Sequence, residues 1–407
     1  MQDKKSPTSE LISMLRYPLV FFVVMHHCYY PLFDWQYNNL SEQSIGSNVV
    51  SELILSSRLL ISSVVSIFYM ISGYLFFIHL EEWDIKVWKR KMTRRIWSLL
   101  IPYILWNTLY FLYKIEPVIT GCVINGNPWS DVTGWINQHG GWIGLYWNGR
   151  VLNPGEVDLW GQPNLNAVPI LVPFYYIRNL IVVSLFTPLI YYLLHPRNHR
   201  VTVCAVVTLV VLAFLFLTKT SFILSGFTAE AFLFFGLGAF MKLNGYELSD
   251  FFYSKRWLAV IMTLFLFIVE LYYGFYSSDE GKRIHPFYNA FECMTVLNCS
   301  SWLVKKSLKN KRMNVLKNTL TRWQNTSFML YAFHFFLITP VSDFLDKVGG
   351  YLTGFYSIRT IEMATQYPYL SLLFFGARIV IIVFICMSIS ILLEKFLPRL
   401  NKLFCGR

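Results

Sequence analysis

The sequence has 407 residues, of which 55% are hydrophobic and only 14% are charged. Soluble domains carry roughly 25% charged residues, so this composition excludes an ordinary soluble protein and indicates one embedded in a membrane. The net charge of +12 does not indicate nucleic-acid binding, because Lys and Arg lie in short stretches between apolar segments. Seven cysteines without a CxxC pair or a metal-ligand spacing predict neither a metal site nor a disulfide.

Apolar stretches of roughly 20 residues, the length that crosses a hydrocarbon core, recur along the whole chain. They predict ten transmembrane helices, at 12–32, 53–80, 96–114, 169–194, 201–219, 220–243, 257–275, 287–303, 326–345 and 368–394. The fifth and sixth of these are joined so tightly that a single re-entrant segment could replace them. We therefore expect an all-α, polytopic transmembrane helix bundle that forms one domain over 1–407.

The loops between these helices differ in charge. If the N-terminus is cytoplasmic, the inside loops hold 24 Lys and Arg residues and the outside loops hold 7. Short loops rich in Lys and Arg stay in the cytoplasm. The sequence therefore predicts cytoplasmic N- and C-termini and a long extracytoplasmic loop at 115–168. This loop is rich in Trp, Asn and Gly, and flat aromatic faces beside amide groups suit sugar rings.

The first predicted helix contains an arginine and a histidine on one face. Arg16 and His27 are eleven residues apart, which is three full helical turns plus roughly 20°. His26 falls roughly 80° to the other side, so the spacing favours His27 as the partner of Arg16. The interval corresponds to roughly 16 Å along the helix axis, about half the hydrocarbon thickness. We expect a guanidinium at the cytoplasmic boundary and an imidazole near the middle of the membrane to face one cavity.

Ionisable side chains at such depth usually belong to a transport pathway or a reaction site. Imidazole is well suited to take a proton from a hydroxyl group near neutral pH. In the alternative interpretation, Arg16 extends to the lipid headgroups and His27 makes a structural hydrogen bond between helices. The spacing alone leaves both interpretations open.

The arginine and histidine of the first helix, with ten residues between them, resemble a motif of acyltransferase family 3. This family comprises integral-membrane O-acyltransferases that modify bacterial surface carbohydrates. Further segments resemble the family in the same order, namely IFYMISGYLFF, RRIWSLLIPY, PFYYIRNLIVVSLFTPLI, FFGLGAFM and SFMLYAFHFFL. The resemblance covers nearly the whole chain, and the order of the segments makes it more specific than any single one.

The resemblance implies roles for individual residues. It makes His27 the catalytic histidine, with Arg16 beside it, and it implies binding of the donor phosphates by basic residues before the third helix. Here the sequence departs from the family, because the second arginine expected after Arg95 is replaced by Ser98. We therefore assign the expected contact with the donor phosphates to four residues, Arg16, Lys91, Arg94 and Arg95. Residues expected to line the substrate cavity are Ser72, Tyr74, Tyr176, Arg178 and His334.

Three of these residues also have structural interpretations, and for His334 this is a core histidine with a satisfied hydrogen bond. Ser72 suits close packing of helices. Arg178 lies within an apolar segment, where it could hold an oxyanion or the acceptor, or pair with a carboxylate such as Glu230, Glu270 or Glu292.

These observations predict a membrane O-acyltransferase in the bacterial cytoplasmic (inner) membrane. By resemblance, it moves an acyl group, acetyl above all, from cytoplasmic acetyl-CoA to a hydroxyl of a carbohydrate or glycolipid acceptor. The expected partners are acyl-CoA, the acceptor and membrane lipid, with no nucleic acid and no metal. The alternative is a secondary transporter or a flippase for a lipid-linked sugar, since buried Arg, His and Glu residues also occur in such proteins.

Overall fold

The computed structural model describes most of the chain. The described residues are 6–29, 45–80, 82–147, 152–157, 163–165, 168–195, 199–218, 225–250, 253–273, 278–354 and 365–406. The α-helices in these ranges are α1 Pro7–His27, α2 Ile45–Leu59, α3 Val64–Phe76, α4 Ile85–Arg95, α5 Ile101–Ile124, α6 Ser130–Gln138, α7 Gly141–Trp147, α8 Tyr175–Leu185, α9 Thr187–Leu194, α10 His199–Leu217, α11 Ala229–Leu243, α12 Arg256–Tyr273, α13 Asp279–Ser307, α14 Lys311–Arg322, α15 Ser327–Thr353, α16 Pro368–Phe396 and α17 Pro398–Cys405.

Shorter elements lie between these helices. A π-helix joins α4 to α5, and 3₁₀ turns precede α8, α12 and α15, at Ile96–Leu100, Val172–Phe174, Tyr253–Lys255 and Gln324–Thr326. Two short antiparallel strands, β1 Leu152–Val157 and β2 Pro163–Leu165, lie in the segment predicted as a long loop. That segment also contains α6 and α7, so much of it has regular structure.

The fold is a helix bundle, as predicted, and each of the ten predicted segments overlaps a helix. By length and hydropathy, six helical stretches of the described chain can cross a membrane, at Pro7–His27, Ser56–Phe76, Ile85–Ile124, Arg256–Tyr273, Lys311–Thr353 and Pro368–Phe396. A bent pair, Val172–Leu185 with Thr187–Leu194, makes a seventh if the two helices form one span. The crossings assigned to α10, α11 and α13 remain predictions.

The fourth predicted helix is broken. α8 and α9 meet at an angle of 62°, because Pro188 in the first turn of α9 has no N–H to continue the helical hydrogen bonds. The Ser184 carbonyl instead accepts a hydrogen bond of 2.7 Å from the Thr187 hydroxyl. The Thr187 hydroxyl in turn accepts one of 3.0 Å from the Trp88 indole. The bend is thus stabilised by side chains that satisfy the freed backbone group.

α1 lies between the two large apolar clusters of the bundle. Its N-terminal part, including Leu11 and Leu19, packs with buried residues of α3, α11 and α13. Its second half, including Val20 and Val24, packs with α5, α15 and α16. A helix in this position can present side chains to any space left between the two apolar clusters.

α3 and α11 pack with their backbones almost in contact. A Cβ atom built on Gly73 lies 2.0 Å from the carbonyl oxygen of Phe235, and one built on Gly238 lies 2.0 Å from that of Met70. Small residues allow such an approach between transmembrane helices. The glycine of the SGY segment therefore serves helix packing, which fixes the position of α3 beside α1.

A turn at 60–63 separates α2 from α3, and Glu292 of α13 stabilises it. The Glu292 carboxylate accepts a hydrogen bond of 2.6 Å from the Ser62 hydroxyl and one of 2.9 Å from the Ser63 backbone N–H. Free N–H groups at a helix start favour a negative charge. The buried Glu292 thus has a structural role at the start of α3.

Candidate active site

A large cavity runs through the bundle beside α1. Its volume is about 940 Å³, near the upper end of the roughly 300–1,000 Å³ typical of small-molecule sites. Its wall is formed by residues of α1, α2, α3, α8, α10, α11, α13, α15 and α17, of the π-helix before α5 and of several turns. Apolar side chains such as Val23, Phe68 and Phe216 form much of the wall. The polar side chains described below interrupt this wall at a few places.

Arg16, His26 and His27 all line this cavity. Arg16 and His27 therefore reach one cavity, as their spacing predicts, and they lie roughly 16 Å apart along the helix axis. The same cavity reaches Ser62 in the turn before α3 and follows α3 from Val64 to Ser72, roughly 12 Å of helix. Exposure to the cavity does not distinguish the two histidines, since both contribute to its wall.

His27 is surrounded by other rings. Its ring centroid lies 5.4 Å from that of His26, 5.3 Å from that of His334 and 5.6 Å from that of Phe335. His334 itself is fully buried and does not contribute to the cavity wall. The structure thus places His334 beside His27 but outside the cavity wall.

Arg378 of α16 holds the end of α1. Its Nη1 donates a hydrogen bond of 3.0 Å to the carbonyl oxygen of Cys28, the residue after His27. A buried cation at a helix C-terminus stabilises the carbonyl groups that have no partner within the helix. Arg378 therefore helps fix the position of His27, although it was not among the residues predicted from the sequence.

Three carboxylates lie near one end of the cavity, and each has a polar neighbour. Glu292 binds the turn before α3, and Glu270 of α12 lies 3.3 Å from Nδ1 of His285. Glu230, at the start of α11, lines the cavity and accepts a hydrogen bond of 2.6 Å from the Ser66 hydroxyl. The Ser66 hydroxyl oxygen also lies 3.0 Å from Oδ1 of Asn289.

Arg178 lines the cavity and is tied to the segment around α7. Its Nη1 donates a hydrogen bond of 2.6 Å to the carbonyl oxygen of Trp147. Its Nε and Nη2 donate to Oδ1 of Asn179, at 3.2 and 3.0 Å. These contacts give Arg178 a structural role. Its predicted contact with an oxyanion or the acceptor stays a prediction.

Ser72 and Tyr176 also line the cavity. The Tyr176 ring packs against Tyr69, with centroids 4.8 Å apart. The Ser72 carbonyl oxygen accepts a hydrogen bond of 3.2 Å from Nη2 of Arg95. Both residues were expected in the cavity, and the structure places them in its wall.

Three of the four basic residues proposed to bind the donor phosphates lie outside the cavity wall, whereas Arg16 is part of it. Nζ of Lys91 donates to the carbonyl oxygens of Phe76 and Ile78 at 2.7 Å, where it caps the end of α3. Arg95 donates to the Ser184 hydroxyl at 3.0 Å as well as to Ser72. Arg94 is exposed. Donor binding by these three residues stays a prediction, and two of them have structural partners.

Tyr74 likewise lies outside the cavity wall. It is buried, and its hydroxyl donates a hydrogen bond of 3.2 Å to Oε2 of Glu247. The same carboxylate oxygen accepts a hydrogen bond of 2.5 Å from the Thr8 hydroxyl. Tyr74 thus connects α3 to the start of α1.

Comparison with known proteins identifies the family. A family model for an acyltransferase domain, acyltransferase 3, matches residues 11–393. The chain belongs to acyltransferase family 3. It is therefore an acyltransferase, and its apolar helices make it a multi-pass membrane protein. Neither the comparison with curated proteins nor that with solved structures gives a match.

One residue of this acyltransferase that sequence reasoning missed had a visible signal. Arg378 is the single charge between Pro368 and Ile391, in the most hydrophobic of the candidate spans, with a mean hydropathy of 2.6. Ser66 and Asn289 had none, because isolated Ser and Asn residues are common in apolar helices.

In the described part of the chain, no group of three or more His, Cys, Asp or Glu residues could hold a metal ion.

Proposed function

We propose that this membrane acyltransferase moves an acyl group, acetyl in the first instance, from cytoplasmic acyl-CoA to a hydroxyl of a cell-surface or lipid-linked carbohydrate. We place it in the bacterial cytoplasmic membrane. The observation that carries the proposal is the single cavity whose wall contains both Arg16 and His27. The family supports acyl transfer, and the cavity supplies a cation and an imidazole along one path.

The donor enters this cavity from the end that contains Arg16. Ser98, Gln324 and Gly406 contribute to the same cavity, and each adjoins a segment predicted to be cytoplasmic. An arginine is well suited to a phosphate group, which it can bind through two hydrogen bonds. The pantetheine arm then follows α1 for roughly 16 Å and brings the thioester to His27.

The acceptor enters from the opposite end, where Glu230 and His285 line the cavity. The ends of α11 and α13 that carry them are predicted to be extracytoplasmic. Within the described chain, Ser66 is the one hydrogen-bond donor to the Glu230 carboxylate. A carboxylate has roughly four acceptor sites, so hydroxyl groups of a sugar can occupy the others.

The reaction follows from this arrangement. A neutral nitrogen of His27 takes the proton from the acceptor hydroxyl, and the hydroxyl oxygen attacks the thioester carbonyl carbon. The C–S bond breaks, the electron pair stays on sulfur, and the thiolate of CoA takes the proton from His27. The products are the carbohydrate ester and CoA, and the histidine returns to its neutral form.

The test uses purified protein in lipid vesicles, acetyl-CoA labelled in the acetyl group, and membranes from cells that lack the gene as the source of acceptor. We expect label to enter carbohydrate with release of an equal amount of CoA thiol. His27→Ala should lower this rate by about 10²- to 10⁴-fold, the contribution typical of a general base. His195→Ala is the matched control, because His195 packs against Tyr191 outside the cavity wall. Label transfer by His27→Ala at the wild-type rate contradicts the proposal.

A transporter or flippase is the second candidate, favoured by a cavity whose wall reaches segments assigned to both sides of the membrane. It predicts movement of a sugar or glycolipid across vesicles without consumption of acetyl-CoA. The vesicles described above measure both quantities. Flux without CoA release supports transport, and CoA release that depends on His27 supports acyl transfer.

A further inference from the structure

His334 has a defined proton position. Its Nδ1 lies 2.8 Å from the carbonyl oxygen of Tyr331 and 3.1 Å from that of Leu330. Carbonyl oxygens can only accept hydrogen bonds, so Nδ1 must carry the proton. In a neutral imidazole the other nitrogen, Nε2, is then an acceptor.

This acceptor is buried and has no hydrogen-bond partner in the described part of the chain. The whole side chain is 0% exposed. Polar atoms in protein interiors nearly always have a partner, and each exception needs an explanation. The hydrogen bonds of Nδ1 explain the orientation of the ring but leave Nε2 without a role.

His27 is a polar ring that adjoins the ring of His334. The two ring centroids are 5.3 Å apart, and the planes are tilted by 36°. Two imidazoles joined by an N–H···N hydrogen bond of roughly 3 Å have centroids roughly 5 Å apart, so this separation suits such a bond. Phe335 also contacts both rings, but it offers no N–H or O–H donor.

We propose that His334 is a positioning residue for His27. Its Nε2 accepts a hydrogen bond from one ring N–H of His27 after a small rotation of that ring, and this fixes the tautomer of His27. The other nitrogen of His27 is then unprotonated and faces the cavity, where it can take a proton from the acceptor hydroxyl. This inference rests on the proposed function.

The protons balance throughout this cycle. When His27 takes the proton of the acceptor hydroxyl, it becomes an imidazolium with two N–H groups. One of them still donates to Nε2 of His334, and the other passes its proton to the thiolate of CoA. His334 remains neutral and touches neither substrate. It thus resembles in function the third group that orients a catalytic base.

Two variants separate this role from simple packing. His334→Gln keeps an acceptor oxygen on a side chain of comparable length, whereas His334→Leu keeps the apolar volume without an acceptor. With labelled acetyl-CoA and membranes of gene-deleted cells, we expect His334→Leu to lower kcat about 10- to 100-fold. We expect the KM for acetyl-CoA to stay within about twofold, and His334→Gln to keep a rate within a few-fold of wild type. Equal losses in both variants contradict the proposal, because packing alone explains them.

Controls distinguish failure of this inference from failure of the proposed function. His27→Ala at the wild-type rate overturns the proposed function and the inference together. An inactive His27→Ala beside a fully active His334→Leu overturns only the inference.

If His334→Leu does not fold, an experimental structure of the wild-type protein at high resolution decides. A nitrogen of His27 within hydrogen-bond distance of Nε2 of His334, directly or through one water, supports the proposal, and a larger separation contradicts it.

Discussion

α1 and α3 both carry residues that resemble family motifs, but their polar groups differ in what they contact. On α1, His27 faces the cavity and adjoins the buried Nε2 of His334, which has no partner in the described chain. On α3, Gly73 touches the backbone of α11, and the hydroxyl of Tyr74 is bonded to Glu247. A motif whose polar side chains border the cavity suits chemistry, whereas one whose groups contact neighbouring helices suits packing.

The largest effect is expected for the contact between α3 and α11. Gly238→Ala places a Cβ 2.0 Å from a backbone oxygen, and the two helices must move apart because neither backbone can yield locally. We expect a loss of several kcal/mol, enough to remove much of the folded protein. The measurement is the folded fraction in detergent by size-exclusion chromatography and thermal unfolding.

Gly236→Ala is the matched control on the same helix. A Cβ there lies 3.6 Å from the Leu209 side chain, an ordinary contact. We expect this variant to unfold within about 2 °C of wild type. If Gly238→Ala folds normally but loses activity, α3 contributes to the chemistry and the comparison fails.

An intermediate effect is expected where a distant helix supports α1. Arg378→Met removes the hydrogen bond to the carbonyl of Cys28 and releases the end of the helix that carries His27. A displacement of about 1 Å at a catalytic group can lower a rate by about 100-fold, so we expect a kcat loss of that order with acetyl-CoA. Arg399→Met, on the exposed face of α17, is the control. An unchanged kcat in Arg378→Met shows that α1 holds His27 without this support.

The smallest effect is expected at Tyr74. Tyr74→Phe removes only the hydroxyl that donates to Glu247, and a single hydrogen bond contributes about 1 kcal/mol. We expect thermal unfolding a few degrees lower and an unchanged rate of acyl transfer. A lower rate at unchanged stability contradicts the structural role given to Tyr74.

These comparisons indicate which features the sequence could predict. Arg16 and His27 lie on one helix, so the helical repeat alone relates them, and the prediction of a shared cavity followed from it. The bend between α8 and α9 had a local signal in Pro188, although the sequence analysis treated 169–194 as one helix. Local patterns thus predicted the elements and part of the site.

Contacts between helices were beyond this reasoning. The pairs His27 with His334, Ser66 with Glu230 and Arg378 with Cys28 each join helices that are far apart in sequence. Most of these helices are apolar on every face, so their hydropathy pattern does not show which face points into the bundle. The basic stretch before α5 was ambiguous for the same reason, since only the fold shows that Lys91 and Arg95 bind carbonyl and hydroxyl groups of the bundle.

The central claim is that one cavity brings the acyl donor from the Arg16 end to His27. The most direct measurement is a cryo-electron microscopy structure of the full chain in lipid with CoA bound. We predict the phosphates beside Arg16 and the thiol within about 5 Å of His27, since reacting groups must approach to roughly 3–3.5 Å during transfer. CoA bound outside the cavity, or with its thiol directed away from α1, contradicts the account.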